Sequence, residues 1–250
     1  MFGLFKRKKK ESVEIKTTED VKLDLKKEAS INLLNLRKET VSDICNNIPD
    51  LQNLRAKVAL VLDFSGSMAE MYRDGTVQTA IERIMPIANQ FDDDRELDLW
   101  IFNGNYNRLD SVNMNNFYKL ADRIYEKYNM GTTNYAPVLK DVIRKYTKEE
   151  KENIPAYVFF LTDGETSDEQ AVKKLLIDTC TKPIFYQFVG LGEAEMYFLE
   201  HLDNLKEREI DNTNFFRLSE PNKISDADLY AKIFNEYPQW VKIAKEKEII

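Results

Sequence analysis

Asp63, Ser65 and Ser67 alternate along the stretch Asp63-Phe64-Ser65-Gly66-Ser67, and Gly66 permits a sharp backbone turn between the two serines. Small oxygen-bearing side chains at this spacing can surround a single ion. Two further oxygen clusters follow, Gly131-Thr132-Thr133-Asn134 and Thr162-Asp163-Gly164. A hard divalent cation such as Mg²⁺ wants an octahedron of oxygen ligands and keeps some of its waters. Neutral hydroxyls quench little of its charge. A site that leans on them leaves a Lewis acid with an open position, which attracts a carboxylate from outside. Each residue also has a plainer reading: the serines as helix caps, Asp63 and Asp163-Gly164 as turn formers, Thr133 as a helix-start residue. Three such loops in chain order are hard to assign to turns alone.

The elements around these residues explain their placement. Val58-Ala59-Leu60-Val61-Leu62 is a continuous apolar run that ends in Asp63. Continuous rather than alternating apolarity marks a strand buried on both faces, as in a parallel sheet. Leu97–Phe102, Tyr157–Leu161 and Ile184–Val189 read the same way. Helical patterns lie between them. Val77, Ile81, Ile84 and Ala88 recur at helical spacing across Pro86, and Asn134 caps a helix through Tyr146 with Pro137 in its first turn. Ser167 and Gln170 form a capping box ahead of Val172, Leu175 and Leu176, and Ser225-Asp226-Ala227-Asp228 opens a last helix, running to Glu236 with Trp240 just beyond. Alternation of this kind predicts an α/β fold: a doubly wound, mostly parallel central sheet with helices on both faces. Arg108–Val112, after the Asn103-Gly104-Asn105 turn, supplies one antiparallel edge strand. Ligands in such sheets bind beyond the carboxyl ends of the central strands, where the three oxygen clusters fall.

Composition narrows the chemistry. The single histidine, His201, and two distant cysteines, Cys45 and Cys180, leave little for histidine-based catalysis, zinc ribbons or a disulfide scaffold, and suit a reducing cytoplasm. The net charge is −7 although Lys6, Arg7, Lys8, Lys9 and Lys10 are consecutive bases, so the rest of the chain is more acidic than the total. An acidic body disfavours nucleic acid. The basic run reads as a solvated tail or as a weak peripheral contact of residues 1–10 with an anionic membrane. Between Glu19 and Asn47 the pattern is ambiguous: Val21, Leu23 and Leu25 alternate like a strand, whereas Ile31, Leu34, Val41 and Ile44 fit a helix.

The string Asp63-x-Ser65-x-Ser67, with Thr133 and Asp163, resembles the metal-ion-dependent adhesion site of von Willebrand factor A domains. Phe91-Asp92-Asp93-Asp94, Gly131-Thr132-Thr133-Asn134-Tyr135-Ala136-Pro137 and Asp211-Asn212-Thr213-Asn214-Phe215-Phe216 look nearest to the TerF-like branch, linked to tellurite and toxic-anion resistance. Residues 1–15 read as a basic tail and 16–50 as an extension of open structure, a departure from the family, while the resemblance implies a von Willebrand factor A domain over 51–250. It implies that Ser65 and Ser67 bind Mg²⁺ or Mn²⁺ directly, Thr133 directly or through water, and Asp63 and Asp163 mainly through waters. A protein partner's acidic side chain completes the octahedron. The family loop usually reads Gly-Gly-Thr, so Gly131-Thr132-Thr133 leaves Thr132 as a rival to Thr133. The implied role is a non-enzymatic, cytoplasmic interaction module in toxic-agent stress. The alternative is a Mg²⁺-dependent phosphoryl-transfer enzyme with Asp63 as nucleophile. That chemistry wants a carboxylate two residues on as general acid, and Ser65 stands there.

Overall fold

The computed structural model describes residues 17–164 and 166–250. The tail assigned to residues 1–15 lies outside the described residues. Six strands form one sheet: β1 (Lys57–Asp63), β2 (Leu97–Phe102), β3 (Tyr106–Val112), β4 (Ala156–Thr162), β5 (Ile184–Leu191) and β6 (Thr213–Leu218). Their spatial order is β3-β2-β1-β4-β5-β6. Every neighbouring pair is parallel except β2 with β3. The expected doubly wound sheet with one antiparallel edge strand is therefore present. The strand order reverses between β1 and β4, and at such a reversal the loops leaving the two strands diverge to opposite faces and open a crevice.

The helices are α1 (Thr18–Asn46), α2 (Ala69–Arg73), α3 (Thr76–Phe91), α4 (Leu120–Lys127), α5 (Ala136–Arg144), α6 (Glu169–Asp178), α7 (Tyr197–Asp203), α8 (Asp226–Ile233) and α9 (Tyr237–Glu246). Strand side chains alternate between two cores. Val58, Leu60 and Leu62 of β1, with Tyr157, Phe159 and Leu161 of β4, pack against α1, α3, α4, α8 and α9. Ala59 and Val61, with Val158 and Phe160, pack against α5, α6 and α7. Each large side chain buried this way contributes about 1.5–3 kcal/mol of transfer free energy, which makes the strand ends a stiff platform for their loops.

The ambiguous segment after Glu19 is one 29-residue helix, α1. Its buried residues Leu34, Arg37, Val41 and Cys45 recur at helical spacing against the body. Arg37 Nε donates to Asp226 at 3.1 Å, and Arg83 Nη2 reaches the same carboxylate at 2.7 Å. Pro86 lies inside α3 and has no N–H for the carbonyl of Glu82. Arg37 Nη1 donates to that carbonyl at 3.5 Å instead.

Three local expectations are corrected, and β6 is a strand that the sequence pattern did not mark. The helix expected from Asn134 starts at Ala136, and its free amides are capped from another loop by Asp168. Ser167 caps no helix of its own: α6 begins at Glu169, and the single Ser167 hydroxyl proton is shared between Thr133 O and Asn134 Oδ1, both within reach of Ser167 Oγ. The last helix ends at Ile233, and a further helix, α9, follows with Pro238 in its first turn and Trp240 buried within it. Ser225 does cap α8, accepting from the Asp228 amide at 3.0 Å.

Candidate metal centre

Asp63 is the last residue of β1 and is fully buried. Its Oδ1 accepts the Ser65 amide at 2.8 Å, closing a two-residue turn that carries the chain around the strand end. Its Oδ2 accepts the Thr162 hydroxyl, at the end of β4, at 2.6 Å. Each hydroxyl has one proton, so Thr162 Oγ1 is an acceptor for its other partners, Tyr135 OH at 2.7 Å and the Gly164 amide at 3.2 Å. Burial, and next the charge of Asp63, hold the Tyr135 phenol well above its ordinary pKa, so it stays protonated and donates. The result is a directed relay, Tyr135 to Thr162 to Asp63, across the crevice between β1 and β4.

Burial pushes the Asp63 carboxyl up to about 7; hydrogen bonds from Ser65 and Thr162 pull it back, and the charge of Asp163 adds to the rise. A carboxylate held this way in a desolvated pocket is poised to accept a nearby positive charge.

Ser65 is buried and Ser67 exposed, with their Oγ atoms 3.1 Å apart. Metal–oxygen distances of about 2.0–2.1 Å at right angles give neighbouring oxygens about 3 Å apart, so this pair matches one edge of a Mg²⁺ octahedron. The Gly131–Asn134 loop is held against the Asp63–Ser67 turn by a bridge between Ser65 and Gly131, including the Gly66 amide donating to Gly131 O at 3.0 Å. Gly131 has no side chain where a Cβ would stand 3.2 Å from the Asn103 amide group, so the loops approach closely there. Thr133 is half-buried, and its carbonyl accepts the Ser167 amide at 3.2 Å and hydroxyl at 3.1 Å, tying it to the loop that carries Asp163. Thr132, its rival, is exposed and places its hydroxyl where a side chain on Gly104 would stand, against the β2–β3 turn. Asp163 is half-buried beside the pair of strand ends and raises the Asp63 pKa.

The five residues picked from sequence thus sit on three loops at one edge of the sheet. Sequence reasoning gave no role to Thr162, Tyr135 or Asp168. Thr162 and Asp163 are adjacent, so one points into the relay as the other leaves it; Tyr135 and Asp168 carry no local signal, since both act on other loops. Among the described residues no three His, Cys, Asp or Glu side chains gather to hold a metal. The donors here are hydroxyls with two flanking carboxylates, a set that suits Mg²⁺ or Mn²⁺ and not a soft metal.

The other sequence candidates have structural roles. Lys57 Nζ bridges Asp92 and Asp94 at 3.1 Å each, which accounts for that acidic run. Cys45 and Cys180 are buried free thiols, and burial pushes Cys45 up to about 12, away from reactivity. His201 is exposed on α7.

A parallel sheet that reverses order between β1 and β4, with an Asp-x-Ser-x-Ser turn at that reversal, defines a von Willebrand factor A-type domain. The chain belongs to the vWA-TerF-like family, described as the vWA found in TerF C terminus, whose model matches residues 55–250. It is 39% identical to the uncharacterized protein YcbR of Bacillus subtilis over 221 residues, 87% of this chain and 90% of that protein. Among solved structures it is similar to a von Willebrand factor type A protein from Catenulispora acidiphila, at 15% identity and a TM-score of 0.49, covering 72% of this chain and 42% of that one. It is also similar to manganese-loaded TRAP protein of Plasmodium vivax, at 16% identity and a TM-score of 0.49, covering 66% and 69%. Among the described residues no helix is long and apolar enough to cross a membrane.

Proposed function

We propose that this chain is a metal-dependent protein-interaction module whose centre is built on Asp63, Ser65, Ser67, Thr133 and Asp163. The carrying observation is the pair of serine hydroxyls 3.1 Å apart in front of a buried carboxylate, at the reversal of strand order. Ser65, Ser67 and Thr133 would hold Mg²⁺ or Mn²⁺ through hydroxyls, with Asp63 and Asp163 orienting its waters. When bound, the ion supplies a Lewis acid with an open position for a carboxylate from a protein partner. The chain's own part is to fix the geometry. The Asp63 turn aims Ser65, the Thr162 relay fixes Asp63, and Ser167 anchors the Thr133 loop.

The family resemblance supports a setting in resistance to tellurite or similar toxic agents, in the cytoplasm. Residues 51–250 would form the interaction domain, with α1 as an extension packed on it. The phosphoryl-transfer reading is disfavoured by the same geometry. Ser65, whose amide is held on Asp63 Oδ1, stands two residues on from Asp63, where that chemistry needs a carboxylic acid to protonate the leaving group.

Capture of partner proteins from the native host, with Mg²⁺ or with EDTA, tests the reading. Specific capture should require the metal and be lost in Ser67→Ala. Capture that survives EDTA and the substitution would overturn it, as would turnover of phosphate esters by the wild type that Asp63→Asn abolishes.

A further inference from the structure

We propose that the cleft between α1 and α3 is an anion-binding site, separate from the metal centre, that takes a phosphate group, free or carried by a small molecule. The cleft measures about 330 Å³. Four polar side chains line it: Lys38 and Ser42 from α1, Gln90 from the last turn of α3 and Arg95 from the loop into β2. Lys38 and Ser42 stand one helical turn apart and so share a face. Lys38, Ser42 and Gln90 are half-buried, and Arg95 is exposed.

These groups have nothing in the protein to bind. Among the described residues neither Lys38 nor Arg95 forms an ion pair, and the Ser42 hydroxyl and Gln90 amide make no hydrogen bond to the chain. The acids close to Arg95 in sequence turn elsewhere. Lys57 bridges Asp92 and Asp94 at 3.1 Å each, Arg55 holds Asp93, and Glu96 accepts from Asn113 at 3.3 Å. The one carboxylate of the cleft, Glu39, is exposed and directly follows Lys38 on α1, so the two side chains diverge by about 100° around the helix. Burial, and next the charge of Arg95, hold the Lys38 ammonium below its ordinary pKa. The two cations therefore repel across the cleft, and an anion between them would attract both. Arg95 also sits at φ 56°, a left-handed conformation that a side chain adopts at a cost. Conformations of this kind gather at binding sites, where a particular side chain is needed in place.

The donor set selects the ligand. Arg95 offers a planar fork of N–H groups, Lys38 a compact point charge, and Ser42 and Gln90 neutral donors. A carboxylate has two oxygens and one charge, which the fork alone satisfies. A phosphate group has three outward oxygens and about −1.5 to −2 charges near pH 7, which answers both cations and leaves oxygens for the neutral donors. The volume lies at the lower end of the range for small-molecule sites, so a short organic body can accompany the phosphate.

The test is titration of the full chain with inorganic phosphate and with glycerol 3-phosphate, in EDTA and at constant ionic strength. Calorimetry and melting temperature follow the binding. Wild type should bind one phosphate per chain and melt higher as the site fills. Lys38→Met, which keeps most of the stem, and Arg95→Gln should each bind at least about tenfold more weakly. Without phosphate, Lys38→Met should melt no lower than wild type, because it removes the repulsion; with saturating phosphate wild type should melt higher. A lysine with only a structural role would not give that crossing. Tighter binding of glycerol 3-phosphate would assign the site to phosphorylated small molecules, and equal binding to phosphate itself; either supports the site. The proposal is overturned if wild type shows no saturable binding of either probe, or if both variants bind as tightly as wild type. It is also overturned if phosphate raises all three melting temperatures equally, the signature of an anion excluded from the surface.

Discussion

Replacing Thr162 with valine keeps the side chain's shape and removes the hydroxyl at the centre of the relay. That hydroxyl is fully buried, donates to Asp63 at 2.6 Å and accepts from Tyr135 at 2.7 Å. A hydrogen bond to a charged group contributes about 1.5–3 kcal/mol, and a buried donor left without a partner costs about 1–3 kcal/mol. Thr162→Val loses the first and strands the Tyr135 phenol, for a total of about 3–5 kcal/mol. Tyr135→Phe removes only a neutral hydrogen bond and should cost about 1 kcal/mol. The double variant has lost the bond to Asp63 but has no phenol left to strand, so it should be more stable than Thr162→Val alone by about 1 kcal/mol. Urea denaturation of the four proteins, with EDTA present, measures these differences. A double variant whose loss equals or exceeds the sum of the two single losses would show that Tyr135 does not depend on Thr162, and the relay would be refuted.

Two further outcomes are expected. Burial, then the negative charges of Asp203 and Asp211, push Glu236 up to about 7, and burial, then Asp211, push Asp203 up to about 6. The folded state therefore holds more protons than the unfolded state between these values and the ordinary carboxylate range. The stability from these groups is fully present at acid pH and is lost as pH rises through about 6–7. Denaturation midpoints across that range should fall for wild type and fall less for Glu236→Gln; identical slopes would remove Glu236 from the explanation. At the metal centre, Thr133→Ala should weaken Mn²⁺ binding while Thr132→Ala leaves it near wild type, as measured by equilibrium dialysis. The reverse order would move the ligand one residue back.

The strands β1, β2, β4 and β5 were legible because burial on both faces writes itself as a near-continuous apolar run, interrupted only by Asp98 in β2 and Gln187 in β5. β6 was not, because its polar residues are satisfied at a distance: Asn214 Nδ2 donates to Gln187 at 3.0 Å, and the Thr213 hydroxyl accepts from Arg208 and donates to Leu202 O at 3.2 Å. Nothing local marks such partners. The caps were misplaced for the same reason. Asn134 and Ser167 have the right chemistry, but the α5 amides are met by Asp168 from the far side of the sheet edge. The last helix was expected to run to Glu236 with Trp240 beyond it; it ends at Ile233, and Pro238 is an early residue of a further helix, α9, where its missing N–H costs nothing. The stretch Asp63 to Ser67 was legible because one tight turn holds three oxygen donors. Its dependence on Thr162 and Tyr135 comes from β4 and the α5 start, which only folding brings beside it.

The most direct test of the metal centre is an electron paramagnetic resonance titration of the full chain with Mn²⁺, following the signal of the free ion. Ser67 is the variant of choice because it is exposed and its loss leaves the core intact. Wild type should bind one Mn²⁺ per chain, and Mg²⁺ should displace it. Ser67→Ala should bind at least about tenfold more weakly while melting at the same temperature in EDTA. Equal Mn²⁺ affinity in wild type and Ser67→Ala, or no saturable binding to either, would contradict a metal centre at the Asp63 turn.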